Sequence, residues 1–240
     1  MARLYVQQQL TPGEEIELPS NPAAHVKARR LQSGDTVTLF NGAGGEHPST
    51  LVSVQRRRIT ARIGEHSPIE RELAYPVLVL QPIVKGERMD MAVEKATELG
   101  ASAIIPTLTQ RCVVRLEDTQ RAAKRHRHWQ AVAASACEQC GRNRLPHIFE
   151  PRQLDQVWPL LEGYAARLLL NQQARQSLSA QVRPAATVLL VGPEGGLNQA
   201  ELDAAELHGF RAAYAGARIM RTETATIAAL STVVSCFGEL

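Results

Sequence analysis

Two short runs concentrate the side chains that could do chemistry. The first, Gly192-Pro193-Glu194-Gly195-Gly196, follows an apolar run at 187–191 and leads at once into a helix-like pattern. Glycine-rich turns between a strand and a helix hold ligands through exposed backbone N–H groups. A phosphate fits this turn poorly, because it lacks the lysine and hydroxyl of a P-loop. Pro193 also removes an N–H that a dinucleotide fingerprint needs, and Glu194 puts negative charge where a pyrophosphate would sit. The turn suits a neutral or cationic nucleoside-like ligand bound through the backbone. The other reading is a tight connection whose glycines only permit positive φ. Asn198 and Glu201 read as a capping box for the next helix.

The second run, residues 215–225, passes through Gly216, Arg218, Arg221, Thr222, Glu223 and Thr224 before an apolar terminal helix. The threonines could be helix caps. Two arginines and a carboxylate are more polar chemistry than a connector needs. A third run, "ACEQCGRNRLP" at 136–146, ends a helix rich in basic residues, with Glu138, Gln139 and Arg142 close together on one polar face. That face could be merely solvated, or it could track RNA phosphates.

The elements that must position these runs follow from periodicity. Residues 75–84 and the segments 103–108, 166–170, 187–191 and 211–216 are short apolar strands. Helical patterns stand between them at 87–99, 119–142, 198–208 and 222–238. Strands alternating with helices predict a parallel sheet covered on both faces, an α/β domain. Its ligands bind beyond the carboxyl ends of the strands, where both loops lie. Residues 1–72 differ. Alternating runs at 14–18, 35–40, 49–54 and 58–63, separated by turn residues, predict a small β-barrel. Its basic residues cluster at Lys27, Arg29, Arg30 and at Arg56, Arg57, Arg58, Arg62. They read either as charge defending a strand edge or as a face for a phosphate backbone. Residues 68–76 read as a linker.

Composition bounds the remaining classes. The 240 residues are 44% hydrophobic and 21% charged, with a net charge of +3. These values permit a nucleic-acid partner without demanding one. No apolar stretch has the length of a membrane span, and the N-terminus has no secretory pattern, so a cytoplasmic protein is expected. Cys137 and Cys140 form a C-x-x-C inside a helical pattern, which predicts no metal site.

Four segments together carry a resemblance: "KGERMDMAVEKATELGASAIIPTLTQRC" (85–112), "EQCGRNRLP" (138–146), "LLVGPEGGLNQAE" (189–201) and "GARIMRTETA" (216–225). In this order they resemble the bacterial 16S ribosomal RNA uridine-N3 methyltransferases, the RsmE family of the SPOUT superfamily. The match runs across 77–240. The first seventy residues match through Arg3 and "GDTVTLFNG", while "AAHVKARRL" departs from the family's usual stretch. The resemblance implies a SPOUT-type α/β domain with a deep trefoil knot over 73–240, preceded by a PUA-like, RNA-binding β-barrel over 1–72. It implies S-adenosylmethionine as cofactor, the small ribosomal subunit and its 16S RNA as partner, and a homodimer. By motif correspondence the cofactor would lie among Leu170, Asn171, Val191, Gly192, Pro193, Gly195, Gly196, Ala215, Gly216, Arg218, Ile219, Met220, Thr222 and Thr224. RNA would meet Arg3, Arg29, Arg30, Lys85, Gln139 and Arg142.

Methylation at N3 of uridine needs that nitrogen to lose its proton. The residues this implies are Arg221 for the developing charge or a phosphate, Glu223 as base, and Glu194 as second choice. Each carboxylate has an equal structural reading, as the holder of an arginine. Two other functions stay open on residues alone. One is a related methyltransferase acting on transfer RNA or a ribose hydroxyl, and the other is a non-catalytic RNA-binding assembly protein.

Overall fold

The computed structural model describes residues 1–114 and 118–240. The chain divides into two compact units. The first comprises 1–72 together with 134–145, and the second 73–133 with 146–240.

In the first unit, β1 (Ala2–Tyr5), β2 (Glu15–Glu17), helix α1 (Ser20–Ala28), β3 (Thr36–Phe40), β4 (His47–Val54) and β5 (Ile59–Arg62) follow in order. The sheet order is β1-β3-β4-β5-β2. The β1–β3 pair is parallel and the others antiparallel. Alternation points Leu4, Val37, Leu39, Leu51 and Ile59 inward, and Val26 of α1 closes their core. Truncating one of these leucines to alanine costs about 2–5 kcal/mol. Four strands are legible in the sequence, whereas β1 and α1 are additions. Helix α1 hides because it buries only Pro22 and Val26, too few positions for a stripe.

The second unit holds β6 (Val77–Pro82), α2 (Glu87–Glu98), β7 (Ala103–Leu108) and α3 (Thr119–Cys140), whose last turns belong to the first unit. The chain continues through β8 (His147–Ile148), β9 (Arg152–Gln153), two 3-10 turns (Leu154–Gln156 and Trp158–Leu161), β10 (Ala166–Leu170) and α4 (Leu178–Gln181). It ends with β11 (Thr187–Leu190), α5 (Gln199–Leu207), β12 (Arg211–Ala213) and α6 (Thr222–Phe237). The strand order is β12-β10-β11-β6-β7-β8, with β9 also on β7, and every pairing is parallel.

Strand alternation divides the apolar side chains between two cores. Val77, Val79, Ile104, Leu168 and Leu189 pack under α2, α3, α4 and α6. Leu78, Leu80, Ile105, Val188 and Leu190 pack under the 3-10 turns and α5. This is the three-layer parallel α/β arrangement expected from the apolar runs.

The last crossing decides where the site lies. From edge strand β12 the chain returns to the sheet centre. There Thr222 Oγ1 donates to the carbonyl of Gly192 (3.2 Å) and Thr226 Oγ1 to Gln81 Oε1 (2.6 Å). Helix α6 therefore starts against the carboxyl ends of β11 and β6.

Candidate cofactor and RNA site

Three connections leave the carboxyl edge side by side: after β10, after β11 and after β12. They enclose an open cavity of about 200 Å³ lined by Leu170, Asn171, Gln172, Val191, Gly192, Pro193, Glu194, Gly196, Ala215, Ile219, Met220, Thr222 and Ala225. Ten residues expected at a cofactor from the sequence meet here. Gly195, Gly216, Arg218 and Thr224 are not among the lining residues. Glu194, expected as a second base, is.

The shape of the glycine turn has local causes. Gly196 sits at φ 67°, which a side chain adopts only with strain. A Cβ on Gly195 would meet Cβ of Arg111 at 3.1 Å. Arg111, from the segment after β7, donates Nη1 to the carbonyls of Gly195 (3.0 Å) and Leu197 (3.4 Å). Asn198 and Glu201 form the expected capping box.

Arg111 escaped the sequence reading although it lies inside a quoted motif. So did Arg88, whose Nη1 lies 2.9 Å from Glu194 Oε1. Glu194 therefore holds an arginine, the structural alternative weighed for it. A third omission is the buried chain Gln81–Thr226–Thr222–Gly192. Gln81 is only 1% exposed, its amide donates to the Pro82 carbonyl, and its oxygen accepts from Thr226. A buried glutamine in an apolar strand was the available signal.

Glu223 is 5% exposed, and its Oε2 is buried with no hydrogen-bond partner among the described residues. A buried carboxylate oxygen without a partner carries a desolvation cost of about 1–3 kcal/mol or more. Its place in the first turn of α6 offsets part of that cost through the helix dipole. Arg218 and Arg221 are exposed.

The lining fits a cationic nucleoside-like ligand. It offers apolar walls, backbone groups and one carboxylate, and no lysine or arginine that would pair a phosphate. S-adenosylmethionine, a sulfonium without phosphate, matches that donor set.

The residues expected at RNA divide between surface and interior. Arg29, Arg30, Lys85 and Gln139 are exposed. Arg142, expected at an RNA contact, is 3% exposed, and its Nε donates to Glu72 Oε1 at 3.0 Å. Burial and pairing remove it from direct contact with RNA. Arg3 is likewise turned inward. It pairs with Glu46, donates to Asn143 Oδ1 (2.6 Å) and lies 5.0 Å from the Phe40 ring centroid. Asn143 in turn donates to the Ile69 carbonyl (2.6 Å).

The run 138–146 thus braces the first unit from within. Glu138 accepts from the Tyr5 N–H (2.8 Å) and lies 3.1 Å from His25. Burial raises its carboxyl above the ordinary value despite those partners. Burial also pushes Glu46 up, but hydrogen bonds from Arg3 and Asn143 and the charges of Arg3 and Arg71 prevail and leave it lowered. The Cys137 thiol is pushed up to about 12 by burial. Among the described residues, no three His, Cys, Asp or Glu side chains gather as a metal ion would require. No described helix is long and apolar enough to cross a membrane.

Fold and cavity together define a ligand-binding α/β domain, and comparison with known proteins gives its kind. A family model described as RNA methyltransferase domain matches residues 71–234. A relative named ribosomal RNA small subunit methyltransferase E, from Bacillus subtilis, is 27% identical across 97% of this chain and 96% of its own. A second of that name, from Mycobacterium bovis, is 32% identical over 85% of this chain and 80% of its own. The crystal structure of a ribosomal RNA small subunit methyltransferase E from Neisseria gonorrhoeae bound to S-adenosylmethionine superposes with a TM-score of 0.90. It is 33% identical and covers 98% of this chain and 97% of its own. A protein from Legionella pneumophila, solved in complex with S-adenosylmethionine, gives a TM-score of 0.92 and 34% identity, with 98% and 97% covered. The chain belongs to the RNA methyltransferase family, among the members named ribosomal RNA small subunit methyltransferase E. The resemblance carried by the four motifs is borne out.

Proposed function

We propose that this protein methylates N3 of a uridine in the 16S RNA of the small ribosomal subunit, with S-adenosylmethionine as donor. One observation carries the reading. The phosphate-excluding cavity at the carboxyl edge lies in a chain that superposes on a cofactor-bound ribosomal RNA small subunit methyltransferase E over 98% of its length. The cofactor, when bound, supplies an electrophilic methyl group on its sulfonium.

The chain's own residues do the rest. The glycine turn, clamped by Arg111 and by the Glu194–Arg88 pair, presents backbone groups and apolar walls that orient donor and acceptor. Glu223 Oε2, buried and without a partner among the described residues, accepts the N3 proton of the uracil. The exposed guanidinium of Arg221, at the N-cap of α6, faces the negative charge developing on the uracil oxygens. Glu194, committed to Arg88, keeps the turn in place.

The reading extends to architecture. Residues 73–240 form a SPOUT-type domain with a deep trefoil knot. The return of the chain from β12 to the carboxyl ends of β11 and β6 supports it. Residues 1–72 form a PUA-like, RNA-binding barrel, supported by the five-stranded sheet. The protein is a cytoplasmic homodimer, and light scattering would return twice 26.3 kDa.

The test is transfer of a labelled methyl group from S-adenosylmethionine to assembled small subunits lacking the modification. Naked 16S RNA, large subunits and transfer RNA run alongside. Label recovered as 3-methyluridine from small subunits is the expected result. Label in transfer RNA or on a ribose hydroxyl would replace the substrate. Neither label nor cofactor binding would leave a passive RNA binder.

A further inference from the structure

A second cavity opens at the carboxyl edge of the same sheet, where β7 ends, between the 3-10 turns and the first turns of α5. Its volume is about 500 Å³, and no residue lines both it and the cofactor cavity. The wall between them runs from Gly196, on the cofactor side, to Asn198, on the other. That wall is braced. The Gln110 N–H donates to Glu201 Oε1 (2.8 Å), Asn198 Nδ2 donates to Gln110 Oε1, and Arg111 holds the carbonyls of Gly195 and Leu197.

Leu108, Leu154, Ala204 and the half-buried Trp158 make the apolar part of the lining. The indole of Trp158 is fixed before anything binds. The His208 imidazole stacks on it at 4.6 Å and 16°, and the Phe210 ring meets it edge to face at 5.9 Å. A rigid aromatic side chain in a cavity of this size favours a flat ring as ligand.

Polar groups at the rim narrow the choice. Gln110, Gln153 and Asp155 line the cavity and are exposed. Gln110 Oε1 is taken by Asn198, which leaves its Nε2 as a donor. Asp155 has no hydrogen bond or ion pair with any described residue, so its carboxylate stands as a free acceptor. Both Glu201 oxygens are engaged, by the N–H groups of Gln110 and Asn198. Among the described residues, no lysine, arginine or histidine lines the cavity, so a phosphate has no partner in it. What fits is an aromatic ring with N–H groups on its edge, a nucleobase with its phosphate left outside. Guanine matches the rim most fully. Its N1–H and N2–H both bond to one carboxylate and its O6 accepts from an amide, whereas adenine offers a carboxylate only its N6 amino group.

We propose that this cavity is a second base subsite, which takes a guanine unstacked from the RNA near the methylated uridine. The proposal rests on the RNA-methylating reading and names what that site reads in the substrate. Trp158 stacks the base, Asp155 accepts from N1–H and N2–H, and Gln110 donates to O6.

The test reads the fluorescence of Trp158. The chain has two tryptophans, so Trp129→Phe leaves Trp158 as reporter, and saturating S-adenosylmethionine keeps the cofactor cavity filled. GMP, AMP, CMP and UMP are titrated into this protein and into the same protein carrying Asp155→Asn, with Tm followed in parallel. Equilibrium dialysis of labelled GMP against the wild type repeats the comparison without the Trp129 replacement. GMP should quench Trp158 saturably and bind at least about tenfold more tightly than AMP, the factor expected of one further hydrogen bond to a charged group. Asp155→Asn should remove about that factor without moving Tm, because the side chain is exposed. Its KM for assembled, unmodified small subunits should rise about tenfold, with cofactor affinity held. No quenching, equal quenching by the four nucleotides, or a GMP affinity untouched by Asp155→Asn overturns the subsite, as does an unchanged KM for subunits. A wild type that shows the GMP preference yet transfers no methyl group sinks the enzymatic reading and leaves the guanine site standing.

Discussion

Glu223 and Glu194 stand about thirty residues apart in sequence and differ in environment: Glu194 lines the cavity, whereas Glu223, in the first turn of α6, is not among its lining residues. Glu194 is partly exposed and paired, so Glu194→Gln removes an ion pair worth about 0–1 kcal/mol. Thermal unfolding should barely move, and methyl transfer should stay within a few-fold of wild type. Glu223 is buried, with an oxygen that has no partner among the described residues. Glu223→Gln keeps the shape and removes the base, so kcat should fall at least about 100-fold. Calorimetry should find cofactor affinity nearly unchanged, and Tm should not drop. Equal losses in both variants would contradict this assignment. The sequence offered both carboxylates with the same two readings. Only burial and the Arg88 partner separate them, and neither is a local property.

At the scale of elements, α6 is seated by its first turn rather than by its apolar stripe alone. Thr226 satisfies Gln81, and Thr222 holds the Gly192 carbonyl. Thr226→Val preserves volume and leaves the Gln81 oxygen unsatisfied in the core. The expected loss is about 1–3 kcal/mol, read from urea unfolding. Cofactor affinity should weaken with it, because the helix start and the glycine turn share this chain of bonds. A destabilised variant with unaltered cofactor affinity would separate the two. In the second unit β6, β7, β10, β11, β12 and α2, α3, α5, α6 were legible because each repeats its apolar period over enough residues. Strands β8 and β9 and helix α4, of two to four residues each, are too short to show one. Helix α1, with two buried positions, was not legible either.

For the molecule as a whole, acid stability turns on the brace inside the first unit. Glu46 is lowered in the fold, so its contribution is complete above the ordinary carboxylate value, about 4.3, and is lost as pH falls through the lower folded value. Glu138 is raised and has the opposite sign. Its contribution is present below the ordinary value and is lost as pH rises through the folded one. Stability of the wild type should therefore fall towards pH 3 with a slope softened by Glu138, and Glu46→Gln should flatten that fall further. An unfolding series from pH 6 to 3 in which Glu46→Gln loses stability as steeply as wild type would remove Glu46 from the brace. At neutral pH, a thiol held up to about 12 keeps Cys137 unalkylated in the folded protein, while the exposed Cys236 reacts.

The amino-acid sequence by itself determined the parallel α/β architecture, the ends of most helices, and the exclusion of phosphate by the glycine turn. Periodicity, caps and a misplaced proline act within a few residues, so they survive in one dimension. Tertiary structure alone decided which charges face solvent. Arg3 and Arg142 read as RNA contacts beside Arg29 and Arg30, yet they find Glu46, Asn143 and Glu72 some 40 to 140 positions away and turn inward. The basic runs at 27–30 and 56–58 read as separate surfaces until one lysine joined them. A side chain's charge is written in the sequence. Its partner is set by whichever distant segment the core brings within about 3 Å, because an ion pair or hydrogen bond forms only at that range.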